Sequence, residues 1–347
     1  MPQDLGVWSR SLSALDIGVK ALTSAKHARE IGAVGISAAA SGIAWVSDHA
    51  LISTAAAAGV TGIFCTICGF HYLKRKTQER DAKIAKAFVE LQDVYGPFQR
   101  KVMALSADLK NGTGNVSSED IEKAMREHAK YLHQVCKTAQ RVFALTRPEV
   151  GDFDANIKYI FVPASSSKPE EFCYAPVARA STDHDRLQDD KSIRENPIPL
   201  LENIIYRDLV HKNYRKDYYI HADIEARIKE IGIHETVRQP NPDTAPKQYR
   251  SMLAHLVGGP SNSLPRSGSG IFSCRGKDVI ALMCVDAPVK GVFTDRPGPV
   301  LDYQIAIMRQ LTDYVFSSYE LISLIAGGAP RSSTDENSLL PSGFRYA

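Results

Sequence analysis

The sequence predicts an α+β chain built in series: an N-terminal transmembrane helical hairpin, a helical coiled-coil stalk and a strand-containing C-terminal domain. Three observations predict it. Residues 31 to 73 form a long uncharged stretch, broken only at Ser47-Asp48-His49 and ended by Lys74-Arg75-Lys76. A charged stretch with a sustained apolar repeat follows. From Asp154 onward, short β-branched and aromatic runs alternate with polar loops.

The first element, residues 1 to 30, carries Trp8, Leu12, Leu15, Val19 and Leu22 on one stripe, with Arg10, Asp16 and Lys20 off it. That pattern suits a helix on the inner membrane surface, or equally one packed on the rest of the protein. The segment has no short apolar core with a cleavage site, so no secretory signal is expected. The hairpin spans 31–73, with arms at 31–47 and 50–72. A bilayer core takes about 20 apolar residues in a helix. The arms are rich in Ala, Gly and Ser, and small-residue pairs such as Gly35/Ala39 and Ala58/Gly62 permit close helix approach. Two Ala-rich core helices of a soluble domain are the alternative. Lys20, Lys26 and Arg29 precede the hairpin and five cations follow it, from Lys74 to Lys83, while the turn has none. The expected location is therefore the inner (cytoplasmic) membrane, with both termini cytoplasmic.

The stalk is placed at 74–146. Ile84, Phe88, Leu91, Tyr95, Phe98, Val102, Leu105 and Leu109 repeat at alternating steps of four and three. This is the pattern of a coiled-coil seam. Pro97 falls inside it and predicts a kink. After Asn111-Gly-Thr-Gly-Asn115, Ser117 or Ser118 can cap a second helix with its own repeat, Ile121, Met125, His128, Leu132, Val135, Ala139 and Val142. The two helices could fold back on each other within one chain. They could also join a parallel two-chain bundle, and a homodimer or higher homo-oligomer is the expectation. His128 on the seam reads as a core position before it reads as a pH switch.

The last domain is placed at 147–327, with a disordered tail at 328–347. Strands are expected at 157–162, 172–178, 218–221, 250–257 and 278–286, the last apolar on both faces and so central. Residues 181–195 read as a polar loop, 200–212 and 222–231 as helices, and 300–325 as a long helix whose stripe includes Ile305, Met308, Leu311 and Val315.

Composition excludes several classes. A formal net charge of +3 is too small to argue for nucleic acid. Of the six cysteines, Cys65 and Cys68 alone have metal-like spacing, with no second pair to complete a site, so no metal and no cofactor are expected. Phosphate-loop, zinc-protease, hydrolase and kinase signatures are all lacking, and the chain reads as a non-enzyme.

The run Arg250-Ser-Met-Leu-Ala-His-Leu-Val257, the strand Asp278 to Asp286 with Phe293 after it, the closing helix Leu301 to Ile325 and Tyr218-Tyr-Ile-His-Ala-Asp223 together resemble a GAF domain over residues 140 to 327. The resemblance implies an antiparallel sheet of about five or six strands with helices on both faces. One face would carry the terminal helices and a dimer contact, and the other a small-ligand pocket. His221, Asp223, Tyr249, Ser251 and His255 are the candidate ligand-binding residues. The last three alternate along one strand and so share a side. Ordinary cross-strand packing is their alternative role. No NKFDE-like run is present, and the position of Cys274 does not carry over a chromophore-binding role.

The function expected from these readings is a membrane-anchored sensor of a small cytoplasmic ligand such as a nucleotide, working in signal transduction. Two alternatives stand beside it. One is a ligand-activated membrane-disrupting effector of a nucleotide-signalled bacterial defence system. The other is a non-sensing membrane scaffold that dimerises through the stalk and the GAF-like domain.

Overall fold

The computed structural model describes residues 50–111, 116–161, 172–202, 209, 216–224, 226, 250–260, 272–274 and 276–326. The chain divides into two units, Met1–Glu79 and Arg80–Ala347. Helix α1 spans Ala50–Asn111, 62 residues, and is continuous through Pro97. In the first unit it carries an Arg75–Glu79 ion pair at 3.0 Å and the Lys76 ammonium 4.8 Å from the Tyr72 ring centre.

This helix corrects the membrane reading. Among the described residues no helix is long and apolar enough to cross a membrane. The transmembrane hairpin is therefore not supported, and neither is the inner-membrane location drawn from it. Residues 50–72 owe much of their uncharged character to Ala, Gly, Ser and Thr. Such small groups supply far less transfer free energy than Leu or Ile. The helix also does not stop at Lys74-Arg75-Lys76 but continues into the charged repeat. The first arm, the 1–30 segment and the tail lie outside the described residues.

In the second unit, α1 is followed by α2 (Ser118–Thr146), β1 (Asp154–Phe161), β2 (Cys173–Arg179), α3 (His184–Glu195), β3 (Ile198–Pro199), β4 (Tyr218–His221), β5 (Ser251–Pro260), β6 (Phe272–Cys274), β7 (Lys277–Ala287) and α4 (Pro299–Ala326). The start of α2 is a capping box: the Ser117 side chain accepts from the Asp120 N–H while the Asp120 carboxylate accepts from the Ser117 N–H. All described strand pairs are antiparallel, in the order β3-β2-β1-β7-β5-β4 with β6 beside the start of β7. β7 is central and buried nearly throughout, as its two-sided apolar sequence requires.

The sheet separates two cores. On one face, Ile157, Leu253, Val257, Ala281, Met283 and Val285 meet α2 and α4. On the other, Met252, Ala254, Leu256, Leu282 and Cys284 meet Ile198, Leu200 and Leu209. The sheet is antiparallel, as the resemblance implied, but has seven strands among the described residues where about five or six were expected.

The two helical repeats find their partners inside the chain. Ile84 and Leu91 of α1 share a core with Tyr131, Leu132 and Val135 of α2 and with Met308 and Leu311 of α4. Further along, Phe98 and Val102 pack with Ala124, Met125, Ile322 and Ile325. The Phe98 ring lies over both Tyr131 and His128, at centroid distances of 5.7 and 5.5 Å.

A second correction concerns 181–195, expected as a loop and found to be helical over 184–195. Its sequence has no apolar stripe because an ion pair docks it. Arg179 donates to both carboxylate oxygens of Asp190, at 2.6 and 2.8 Å, and also to Asp154. All three residues are buried.

Candidate functional site

The strand register decides where the expected site residues lie. Partners in an antiparallel ladder point to the same side of the sheet. His221 pairs with Met252, and Tyr218 pairs with His255. His221 therefore shares the Met252 face, while Ser251 and His255 share the face covered by α2 and α4 with Leu253 and Val257. Tyr249 lies outside the described residues. Ser251 is fully buried and its Oγ accepts from the Phe293 N–H at 3.0 Å, fixing the loop after β7. The Asp223 carboxylate accepts from the Ala226 N–H at 3.1 Å and pairs with Lys290 at 3.1 Å. Ser251 and Asp223 thus hold the backbone in place, and the sheet divides His221 from His255.

His255 does line a cleft. The cavity, of about 150 Å³, is walled by Asp217, Leu256, Gly258, Lys277 and Val279 from the sheet side and by Arg309, Thr312 and Asp313 of α4. β4, β5 and β7 bring the first group together, and the Leu256 N–H donates to the Asp217 carbonyl at 2.9 Å. At Gly258 the backbones approach so closely that a Cβ would sit 2.4 Å from the Asp278 carbonyl oxygen. A bulge next to it, where Val257 pairs with Ala281 and Gly258 with Val279, leaves Ile280 as the extra residue.

The electrostatics of the cleft are mixed. Lys277 pairs with Asp217 at 2.5 Å. His255 is buried, and desolvation lowers its pKa to about 4, so the ring is neutral near pH 7. Its Nδ1 lies 2.7 Å from the Leu256 carbonyl oxygen. A carbonyl only accepts, so the proton is on Nδ1 and Nε2 keeps its lone pair. That Nε2 is buried and has no hydrogen-bond partner. Partial desolvation also raises the Asp313 pKa from its ordinary value, an effect opposed by Lys277 and Arg309.

Only His255 among these groups was singled out by its sequence. Arg309, Thr312 and Asp313 occupy the polar flank of an amphipathic helix, where sequence gives solvent as the default environment. Asp217 and Lys277 sit at strand ends, where charge is also ordinary.

No family model matches the chain, and no curated protein matches it. The crystal structure of the phycoerythrobilin-bound GAF domain from a cyanobacterial phytochrome is similar at 12% identity and a TM-score of 0.26, over 61% of this chain and 98% of that chain. A likeness that loose carries no argument about a ligand.

Proposed function

We propose that the unit beginning at Arg80 is a small-ligand sensing domain, a binder and not a catalyst, with its ligand in the cleft between β5, β7 and α4. The observation that carries this reading is the cavity itself, whose wall brings His255, Arg309, Thr312 and Asp313 together. A few convergent polar groups in a concave site are what orients a small ligand.

The position of α4 gives the reading its output. The helix contributes Arg309, Thr312 and Asp313 to the cleft and packs Met308, Leu311 and Val315 on the sheet core. It also touches the other two helices. Gln92 of α1 donates to the Tyr314 hydroxyl at 2.9 Å, and His128 of α2 bonds Ser318 at 3.1 Å. A shift of α4 on occupancy would reach both helices through these contacts, as two packed arrangements of one element. The membrane-disrupting alternative depends on the hairpin and is not carried forward.

The test is a thermal-shift screen of the full chain against amino acids, organic acids, phosphate and nucleotides. A ligand at one hundred times its Kd stabilises by about 2.7 kcal/mol. A midpoint that stays flat across every compound, at millimolar concentration, would count against the sensing role.

A further inference from the structure

We infer that the cleft is built for a small zwitterion of the α-amino acid type, with the ligand carboxylate on Arg309 and its ammonium between Asp313 and Thr312. This rests on the sensing reading above and names the ligand class for the same site.

Two opposite charges face the cleft without forming a direct ion pair. Arg309 and Asp313 stand one helical turn apart on α4 and both line the cleft, a spacing that commonly forms an ion pair. Among the described residues neither pairs with the other, although Lys277 and Asp217 beside them do pair. The cleft therefore holds one cation and one anion whose charges a ligand can satisfy.

The hydrogen-bonding inventory then fits a zwitterion on each side. An ammonium has three N–H donors and no acceptor. Asp313 and Thr312 line the cavity, and the Thr312 hydroxyl gives its own proton to the Arg309 carbonyl at 2.9 Å, which leaves its oxygen as an acceptor beside the Asp313 carboxylate. Arg309 offers a planar fork of donors suited to a carboxylate. Single-charge ligands fit less well. An inorganic anion on Arg309 would face Asp313 and Asp217, and a metal cation would face Arg309 and Lys277. Among the described residues no group of three or more His, Cys, Asp and Glu could hold a metal ion. A nucleotide exceeds a cavity of about 150 Å³.

The experiment is calorimetric titration of the full chain with L-alanine and glycine, set against propionate, ethylamine, inorganic phosphate and a cyclic nucleotide. The zwitterions should bind, and each single-charge fragment should bind at least about tenfold more weakly. Arg309→Gln and Asp313→Asn should each weaken alanine binding by about tenfold or more. Both side chains are exposed on α4, so circular dichroism of the two variants should match the parent. Propionate binding as tightly as alanine, or alanine binding unchanged in both variants, overturns the zwitterion while leaving a sensor. A preference for phosphate or the nucleotide does the same. Silence from every compound removes the sensing reading as well.

Discussion

Two buried histidines contribute to the response of this protein to acid. Desolvation holds His128 at a pKa of about 3 and His255 at about 4, both below the ~6.5 of an unfolded imidazole. The unfolded chain therefore takes up protons first. The histidine contribution is complete above pH about 6.5 and is lost as the pH falls toward the folded values, at about 1.4 kcal/mol per pH unit for each ring. His128→Gln should flatten the dependence between pH 6.5 and 5 by about that slope, read from urea denaturation at stepped pH. An unchanged slope would mean that His128 is not the group being charged. The variant keeps an amide donor for Ser318, so the slope is a cleaner readout than the midpoint at pH 7.

At the level of elements, α3 shows what holds a helix that has no apolar face. Its docking rests on Asp190, bound by an arginine that also serves Asp154, with Ile193 as a single apolar contact on the second core. Arg179→Met should cost about 3–5 kcal/mol, because it strands two buried carboxylates. Amide exchange in residues 184–195 should rise before exchange in β7 does, and equal protection in both segments would show that the ion network does not hold α3. The same helix marks the limit of what the sequence made legible. β1, β2, β4, β5, β7 and α4 announced themselves through β-branched runs or a helical stripe, because burial against a sheet or helix layer leaves that imprint. α3 left none, since a buried ion network and the single apolar contact of Ile193 do the work of a stripe. The site was half legible for a related reason. The alternation of Ser251 and His255 on one side of a strand follows from the pleat alone, but which core that side faces depends on the strand order and the bulge, neither of which is local.

For the molecule as a whole, the long helical repeats are an internal matter. Leu91 is fully buried among its own chain's side chains. Leu91→Ala should therefore lower stability by about 2–5 kcal/mol. That loss should be the same at protein concentrations about tenfold apart, since the contact removed lies within one chain. A loss that varies with concentration would return this seam to a partner chain. Internal use of the repeat also brings α1, α2 and α4 into one core.

The bulge at Ile280 has a consequence for how β7 tolerates change. Ile280 and Ala281 face one core and Val279 the other. Deleting Ile280 would therefore close the bulge into a regular ladder, with Val279 still opposite Gly258 and Lys277 still opposite Pro260. A deletion elsewhere in the strand would instead turn every residue on one side of the cut to the wrong face. Ile280 is thus the position at which β7 can lose a residue and keep Lys277 beside Asp217, at the cost of one buried side chain.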